Sequence, residues 1–187
     1  MLGLSSNSSD TARSAAEAEC VRIARRLIAD DRRRFGLLPV ASTTPIAELV
    51  CSLAATVADL TGANVAAIDI GGRWPIWSRS SSVATKEAWL GQWLYGARVA
   101  ALRPARPVVA GEGLAVLRAM LDSASSRCGH VLVDLSGLRS TGEHFGACTL
   151  VDGVCLVALA GKTRERDVVA MHRELDPAKD LGVLLLE

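Results

Sequence analysis

The spacing of hydrophobic residues changes several times along the chain, and each change marks a predicted element. Apolar residues recur three and four positions apart from Cys20 to Ile28, which predicts an amphipathic helix. A continuous apolar run from Phe35 to Ala41 predicts a buried strand. A second helix is predicted with Pro45 in its first turn and its end near Gly62. The first third of the chain is therefore predicted to run helix, strand, helix.

Shorter apolar runs predict the rest of the sheet. Five further strands are expected at Asn64–Ile70, Arg98–Leu102, Val131–Leu135, Val154–Leu159 and Leu181–Leu186. Helices are expected in the second half of Arg73–Tyr95, around Leu114–Leu121 and over Thr163–Leu175. Continuous apolar strands alternating with helices indicate a mainly parallel sheet covered on both faces. The predicted fold class is α/β, a three-layer α/β/α sandwich, with a flexible N-terminus over residues 1–10 and one domain over residues 11–187.

Composition and charge narrow the function classes. The chain has 21 Lys and Arg against 20 Asp and Glu, a net charge of +1, so no nucleic-acid partner is expected. No apolar run reaches the roughly 18 residues of a membrane-spanning helix, so any membrane association is expected to be indirect. The five cysteines form no CxxC pair, which favours reduced thiols in a cytoplasmic protein. We expect no metal and no cofactor.

Motifs for catalysis are missing from the sequence. Gly161-Lys162-Thr163 has the end of a phosphate-binding loop, but Leu156 stands where that motif requires its first glycine. The three histidines are dispersed, and no nucleophile with an adjacent base is evident. No catalytic residue is predicted.

Three segments resemble one known group of proteins. Ile68–Pro75 (IDIGGRWP) is similar to a strand-end motif IDxDxRxP, and Val131–Asp134 (VLVD) resembles a Walker B strand. Val151–Asp167 is similar to the pattern VDGVxLVVRAGxTRxRD. The order of these segments resembles that of the MinD/ParA-type P-loop ATPases, and most closely that of the cytoplasmic domain of bacterial tyrosine autokinases involved in polysaccharide export. The resemblance covers about residues 15–187. It implies a P-loop NTPase-like fold.

The departures from this pattern affect the nucleotide site. The phosphate-binding loop (Walker A) would fall at Leu37–Thr44, which contains no glycine and no lysine, and Gly71 replaces the second aspartate of IDxD. A phosphate cradle needs glycines for converging N–H groups and a lysine for charge. We therefore expect a degenerate Walker A motif and a pseudo-ATPase without enzyme activity. The resemblance assigns the vestigial nucleotide site to Ser42, Thr43, Thr44, Asp69, Arg73 and Asp134.

Two interpretations of these residues are open. The aspartates either hold magnesium or water around a nucleotide, or serve as strand-end carboxylates that cap and accept hydrogen bonds. Ser42–Thr44 either binds an anion at a helix N-terminus or is a plain N-cap.

All four tryptophans fall in one short stretch, at Trp74, Trp77, Trp89 and Trp93. Trp89 and Trp93 are one turn apart on the predicted helix, and the other two lie in the loop after a strand. The cluster is either a small subsidiary core or an interaction surface, because tryptophan is enriched at binding hot spots.

These observations lead to a functional hypothesis. We expect a non-catalytic adaptor that binds partner proteins or itself in a membrane-associated or polar assembly, such as one for polysaccharide synthesis or secretion. The alternative is a nucleotide-dependent switch or ATPase with an unorthodox site.

Overall fold

Helices and strands alternate along the chain in the computed structural model, which describes the backbone of residues 6–78, 83–84 and 89–187, and side chains from 17–77 and 89–187. The helices are α1 (Ser6–Leu27), α2 (Ala47–Thr61), α3 (Gly113–Ser125), α4 (Ser136–Arg139), α5 (His144–Cys148) and α6 (Glu165–Glu174). The strands are β1 (Arg34–Pro39), β2 (Val65–Asp69), β3 (Val83–Ala84), β4 (Trp89–Leu94), β5 (Val99–Pro104), β6 (His130–Asp134), β7 (Gly153–Leu159) and β8 (Asp180–Leu186). A short 3₁₀ helix spans Pro75–Ser78.

One sheet contains all eight strands, in the order β3-β4-β5-β2-β6-β1-β7-β8. The six strands from β5 to β8 in this order are parallel to one another. Strands β3 and β4 are antiparallel additions at the β5 edge. The carboxyl ends of β2, β6 and β1 therefore meet at the same edge of the sheet.

Two apolar cores cover the two faces of the sheet. Leu53 of α2 lies in the core shared with α1, and Leu117 of α3 lies in the core on the opposite face. Along β2, Ala66 and Ile68 face the α3 side while Ala67 faces the α2 side, and all three are fully buried. Burial on both faces explains why the strands are continuous apolar runs. The predicted three-layer α/β fold is confirmed.

The prediction of a helix in the second half of Arg73–Tyr95 is wrong, because Trp89–Leu94 forms strand β4. Residues four apart share one face of a strand as well as of a helix, so the tryptophan spacing fits either period. A tight turn with left-handed Tyr95, Gly96 and Ala97 (φ 49, 65 and 65°) closes an antiparallel hairpin onto β5. The rest of the predicted helix, residues 85–88, lies outside the described residues.

The start of α2 also differs from the prediction. The helix begins at Ala47, and its N-cap residue, Ile46, makes no side-chain cap. The N-cap interpretation of Ser42–Thr44 is therefore wrong. Ile46 is 2% exposed, so the residue immediately before the helix is anchored in the core. The predicted end is confirmed: Gly62 is left-handed, at φ 67°, and its N–H donates to Ala58 O over 2.9 Å.

Within the described part of the chain, no helix has the length and apolar character to span a membrane. Helix α1 begins at Ser6, inside the N-terminal segment for which flexibility stays a prediction.

Candidate functional site

Two aspartates lie side by side where the central strands end. Asp69 is the last residue of β2, Asp134 is the last residue of β6, and the two are paired in register. Their exposed fractions are 1% and 3%. In open α/β sheets this edge is where ligands bind. Both aspartates end their strands as the sequence analysis expects, whereas the depth of their burial was not predicted. Their membership of a nucleotide site stays a prediction.

Both carboxylates accept hydrogen bonds from tryptophan N–H groups. Oδ2 of Asp69 accepts hydrogen bonds from the backbone N–H of Trp74 over 2.7 Å and from Nε1–H of Trp77 over 2.8 Å. Oδ2 of Asp134 accepts from Nε1–H of Trp74 over 2.8 Å, and its Oδ1 accepts from the backbone N–H of Ser136 over 2.8 Å. Trp74 therefore bridges the two aspartates, which we call the tryptophan bridge.

The local sequence explains how Trp74 reaches both strand ends. After β2 the chain turns at Gly72, which is left-handed at φ 64° and donates its N–H to Asp69 O over 3.2 Å. The 3₁₀ helix that follows begins at Pro75, immediately after Trp74. Turn and helix together direct the indole rings back over the strand ends.

Gly71 and Gly137 allow the two strand-end loops to touch. A Cβ on Gly137 would stand 2.5 Å from Gly71 Cα. Gly71 is the residue found in place of the second aspartate of the IDxD motif. The backbone of the loop after β2 thus packs directly against the start of α4.

Asp69 accepts its hydrogen bonds from neutral N–H groups, and no cationic side chain among the described residues pairs with it. Burial raises the pKa of Asp69, the hydrogen bonds from Trp74 and Trp77 oppose that rise, and the charge of Asp134 adds to it. Burial and these two carboxylates also raise the pKa of the nearby Cys51 thiol to about 12. No ion pair reaches either aspartate from the described side chains. Since a buried charge is costly unless it is hydrogen-bonded, the neutral donors matter for stability.

An arginine donates hydrogen bonds to the backbone where β1 ends and the following loop begins. Nη1 of Arg139 in α4 donates to the carbonyl oxygens of Pro39 and Val40, both over 2.7 Å, and lies 3.0 Å from Met171 Sδ. Burial lowers the pKa of Arg139. Phosphate-binding loops direct N–H groups at their ligand. Here the carbonyl groups at the start of the loop are directed at a cation instead.

The other residues of the predicted nucleotide site differ in exposure. Ser42, Thr43 and Arg73 are exposed. Thr44 is 3% exposed, and its hydroxyl has no hydrogen-bond partner among the described residues. The structure thus brings Asp69 and Asp134 together, while the Ser42–Thr43 side chains point to solvent. Across the described residues, no group of three or more His, Cys, Asp or Glu side chains is placed to hold a metal ion.

The sheet separates the four tryptophans into two pairs. The rings of Trp74 and Trp77 stack at 6.4 Å with an interplanar angle of 8°, on the α2 face. Trp89 packs on the core of the opposite face, and Trp93, on the same side of β4, is 55% exposed. Trp74 is only 3% exposed, which corrects its assignment to an interaction surface. The first pair covers the carboxylates, and the second pair borders a groove.

Sequence reasoning missed Arg139. Its acceptors lie 100 and 99 residues away along the chain, so no spacing pattern connects them. The sequence feature that could have indicated its role is its position, because a basic residue follows shortly after the strand-end Asp134.

No family model matches the sequence, and no curated protein matches it significantly. Solved structures do match. The kinase domain of VpsO has a TM-score of 0.70 at 17% identity, covering 97% of this chain and 98% of that one. The kinase domain of the Escherichia coli tyrosine kinase ETK has a TM-score of 0.61 at 16% identity, covering 89% and 74%. The BceF tyrosine kinase domain has a TM-score of 0.62 at 14% identity, covering 90% and 74%. The chain therefore has the fold of these tyrosine kinase domains.

Proposed function

We propose that this chain is a non-catalytic adaptor: a cytoplasmic domain with a tyrosine kinase fold that binds a partner protein or a second copy of itself. Residues 11–187 form the binding domain. The observation that carries the proposal is the tryptophan bridge. Both strand-end carboxylates already accept hydrogen bonds from indole and backbone N–H groups.

Phosphoryl transfer depends almost entirely on positioning and on stabilising charge. In this chain the loop that would hold the phosphates has no glycine and no lysine, and two carbonyl groups at its start accept hydrogen bonds from Arg139. The aspartates that would organise magnesium are bound by Trp74 and Trp77. These features support the loss of both nucleotide binding and transfer.

The groove beside the second tryptophan pair is the binding surface that we assign to the adaptor. It has a volume of about 380 Å³ and lies between β4, β5 and the end of α3. Its walls include Trp89, Trp93, Leu102, Ala124 and Arg127. Tryptophan and arginine around an apolar floor are the composition of binding hot spots. The surface fits an apolar anchor side chain of the partner.

The Trp93→Ala variant tests this assignment. Because Trp93 is 55% exposed, the variant should fold normally while association weakens by at least about 2 kcal/mol, roughly 30-fold. Self-association is measured by analytical ultracentrifugation, and partner binding by the affinity for proteins recovered with the wild-type chain.

Leu185→Ala is the matched control, since Leu185 on the edge strand β8 is 66% exposed. It should leave every association unchanged. Equal binding by Trp93→Ala and wild type would show that the groove is not the interface.

The functional setting rests on the sequence resemblance. An adaptor with this fold suits a membrane-associated or polar assembly, such as one for polysaccharide synthesis or secretion. Membrane association would then be indirect, through the partner.

One observation favours the alternative of a nucleotide-dependent switch. The Thr44 hydroxyl is buried in the loop after β1 and lacks a partner among the described residues. A bound nucleotide would supply an acceptor. Nucleotide titration separates the two functions.

A further inference from the structure

A small cavity lies beside the tryptophan bridge, between the loops that follow β2 and β5. Its volume is about 90 Å³, and its walls include Gly71, Gly72, Arg103, Pro104 and Arg106. That is about three times the ~30 Å³ that one water occupies in the liquid, and well below the roughly 300 Å³ of a small-molecule pocket. The cavity therefore has room for one compact group and not for a whole nucleotide.

Arg103 brings an uncompensated positive charge to this cavity. Its guanidinium carbon lies 5.2 Å from the centre of the Trp77 ring. No carboxylate among the described residues pairs with it, and its Nε is shielded from water without an acceptor. Stacking uses the face of a guanidinium and leaves the N–H groups in its plane for an anion.

A second guanidinium, that of Arg106, also favours an anion in this cavity. Arg106 lines the cavity, and its ion pair with Glu112, 2.8 Å long, is exposed and so contributes little. The backbone turn at Gly72 lies beside Arg103, because a Cβ on Gly72 would stand 3.9 Å from Arg103 Nη1.

The walls of the cavity include no acidic side chain. Asp69 is close by, with Oδ1 3.6 Å from the position of a Gly71 Cβ, but its Oδ2 is held by Trp74 and Trp77. Among the described side chains that line the cavity, Arg103 is thus a charged group without an ionic partner.

We propose that this cavity binds a phosphate group, presented as a phosphomonoester, through Arg103 and Arg106. Two guanidinium forks match the oxygens of a phosphate dianion better than those of a single carboxylate. The site lies at the ends of β2 and β5, apart from the Ser42–Thr44 loop after β1. The inference stands on these residues and does not depend on the adaptor function.

Titration with inorganic phosphate tests the site, followed by tryptophan fluorescence, because Arg103 lies on Trp77. Wild type should show a saturable change. Arg103→Gln and Arg106→Gln should each weaken phosphate binding by about tenfold or more, since each removes charge-assisted hydrogen bonds. Arg118→Gln, an exposed arginine on α3, is the matched control and should bind as wild type does.

Arg106 is 67% exposed, so the Arg106→Gln variant keeps the test valid even if Arg103→Gln perturbs the fold. Acetate should bind more weakly than phosphate. A phosphorylated sugar and a phosphoserine peptide then show which source of phosphomonoester binds more tightly. No saturable phosphate binding, or equal binding by Arg106→Gln and wild type, would overturn the proposal.

Discussion

Replacing Trp74 by alanine is expected to destabilise the fold by about 3–5 kcal/mol, the usual cost of truncating a fully buried tryptophan. Trp74 is 3% exposed and bridges the two strand-end aspartates through its backbone N–H and its indole N–H. The variant loses the packing of the ring and leaves Oδ2 of Asp134 buried without a donor, which adds to the cost. Urea denaturation followed by circular dichroism measures the free energy of unfolding.

Two further variants isolate the cause of that effect. Trp93→Ala removes an exposed ring from the opposite face of the sheet and should change the unfolding free energy by less than about 1 kcal/mol. Trp74→Phe keeps most of the ring but has no N–H, and the loss of the hydrogen bond should still cost about 1–3 kcal/mol. If Trp74→Phe is as stable as wild type, the bond to Asp134 does not stabilise the site.

Gly137→Ala is expected to destabilise the fold by about 1–3 kcal/mol through overpacking. A Cβ on Gly137 would stand 2.5 Å from Gly71 Cα and 2.7 Å from Gly71 N, and both contacts are with backbone. The loops after β2 and β6 would have to separate, and that movement would strain the hydrogen bond from Ser136 N–H to Asp134. Thermal unfolding measures the loss.

Gly146→Ala is the matched control for this prediction. Its closest contact would be 2.9 Å from Leu114 Cδ1, the end of a side chain that can move aside. The control should therefore be less destabilised than Gly137→Ala. Equal stability of the two variants would mean that the contact between the loops is not tight.

The positions of the central strands along the chain could be predicted from the sequence, because buried parallel strands are continuous apolar runs. Ile68–Asp69 and Val133–Asp134 end such runs, so the meeting of the two carboxylates at one edge followed from the parallel arrangement. The fold could be predicted for the same reason, since the central strands β1, β2, β6 and β7 are buried on both faces.

The arrangement of side chains around those carboxylates could not be predicted in the same way. Trp89 and Trp93 have a spacing that fits a helix and a strand equally, and only pairing with β5 decides between them. Arg139 meets its carbonyl acceptors across about 100 residues of chain. Trp74 bridges Asp69 and Asp134 because β2 and β6 end side by side. This is a property of the sheet and not of the local sequence.

We expect that the site at Asp69 and Asp134 does not bind nucleotide. Calorimetric titration with ATP and ADP in the presence of magnesium tests it most directly. The Arg106→Gln variant is titrated beside wild type, so that binding of a phosphate group in the cavity at Arg103 is not mistaken for nucleotide binding at Asp69 and Asp134. We expect no saturable heat from the variant up to millimolar nucleotide. Saturable, magnesium-dependent binding that persists in the variant would contradict the account and make the nucleotide-dependent switch the better description.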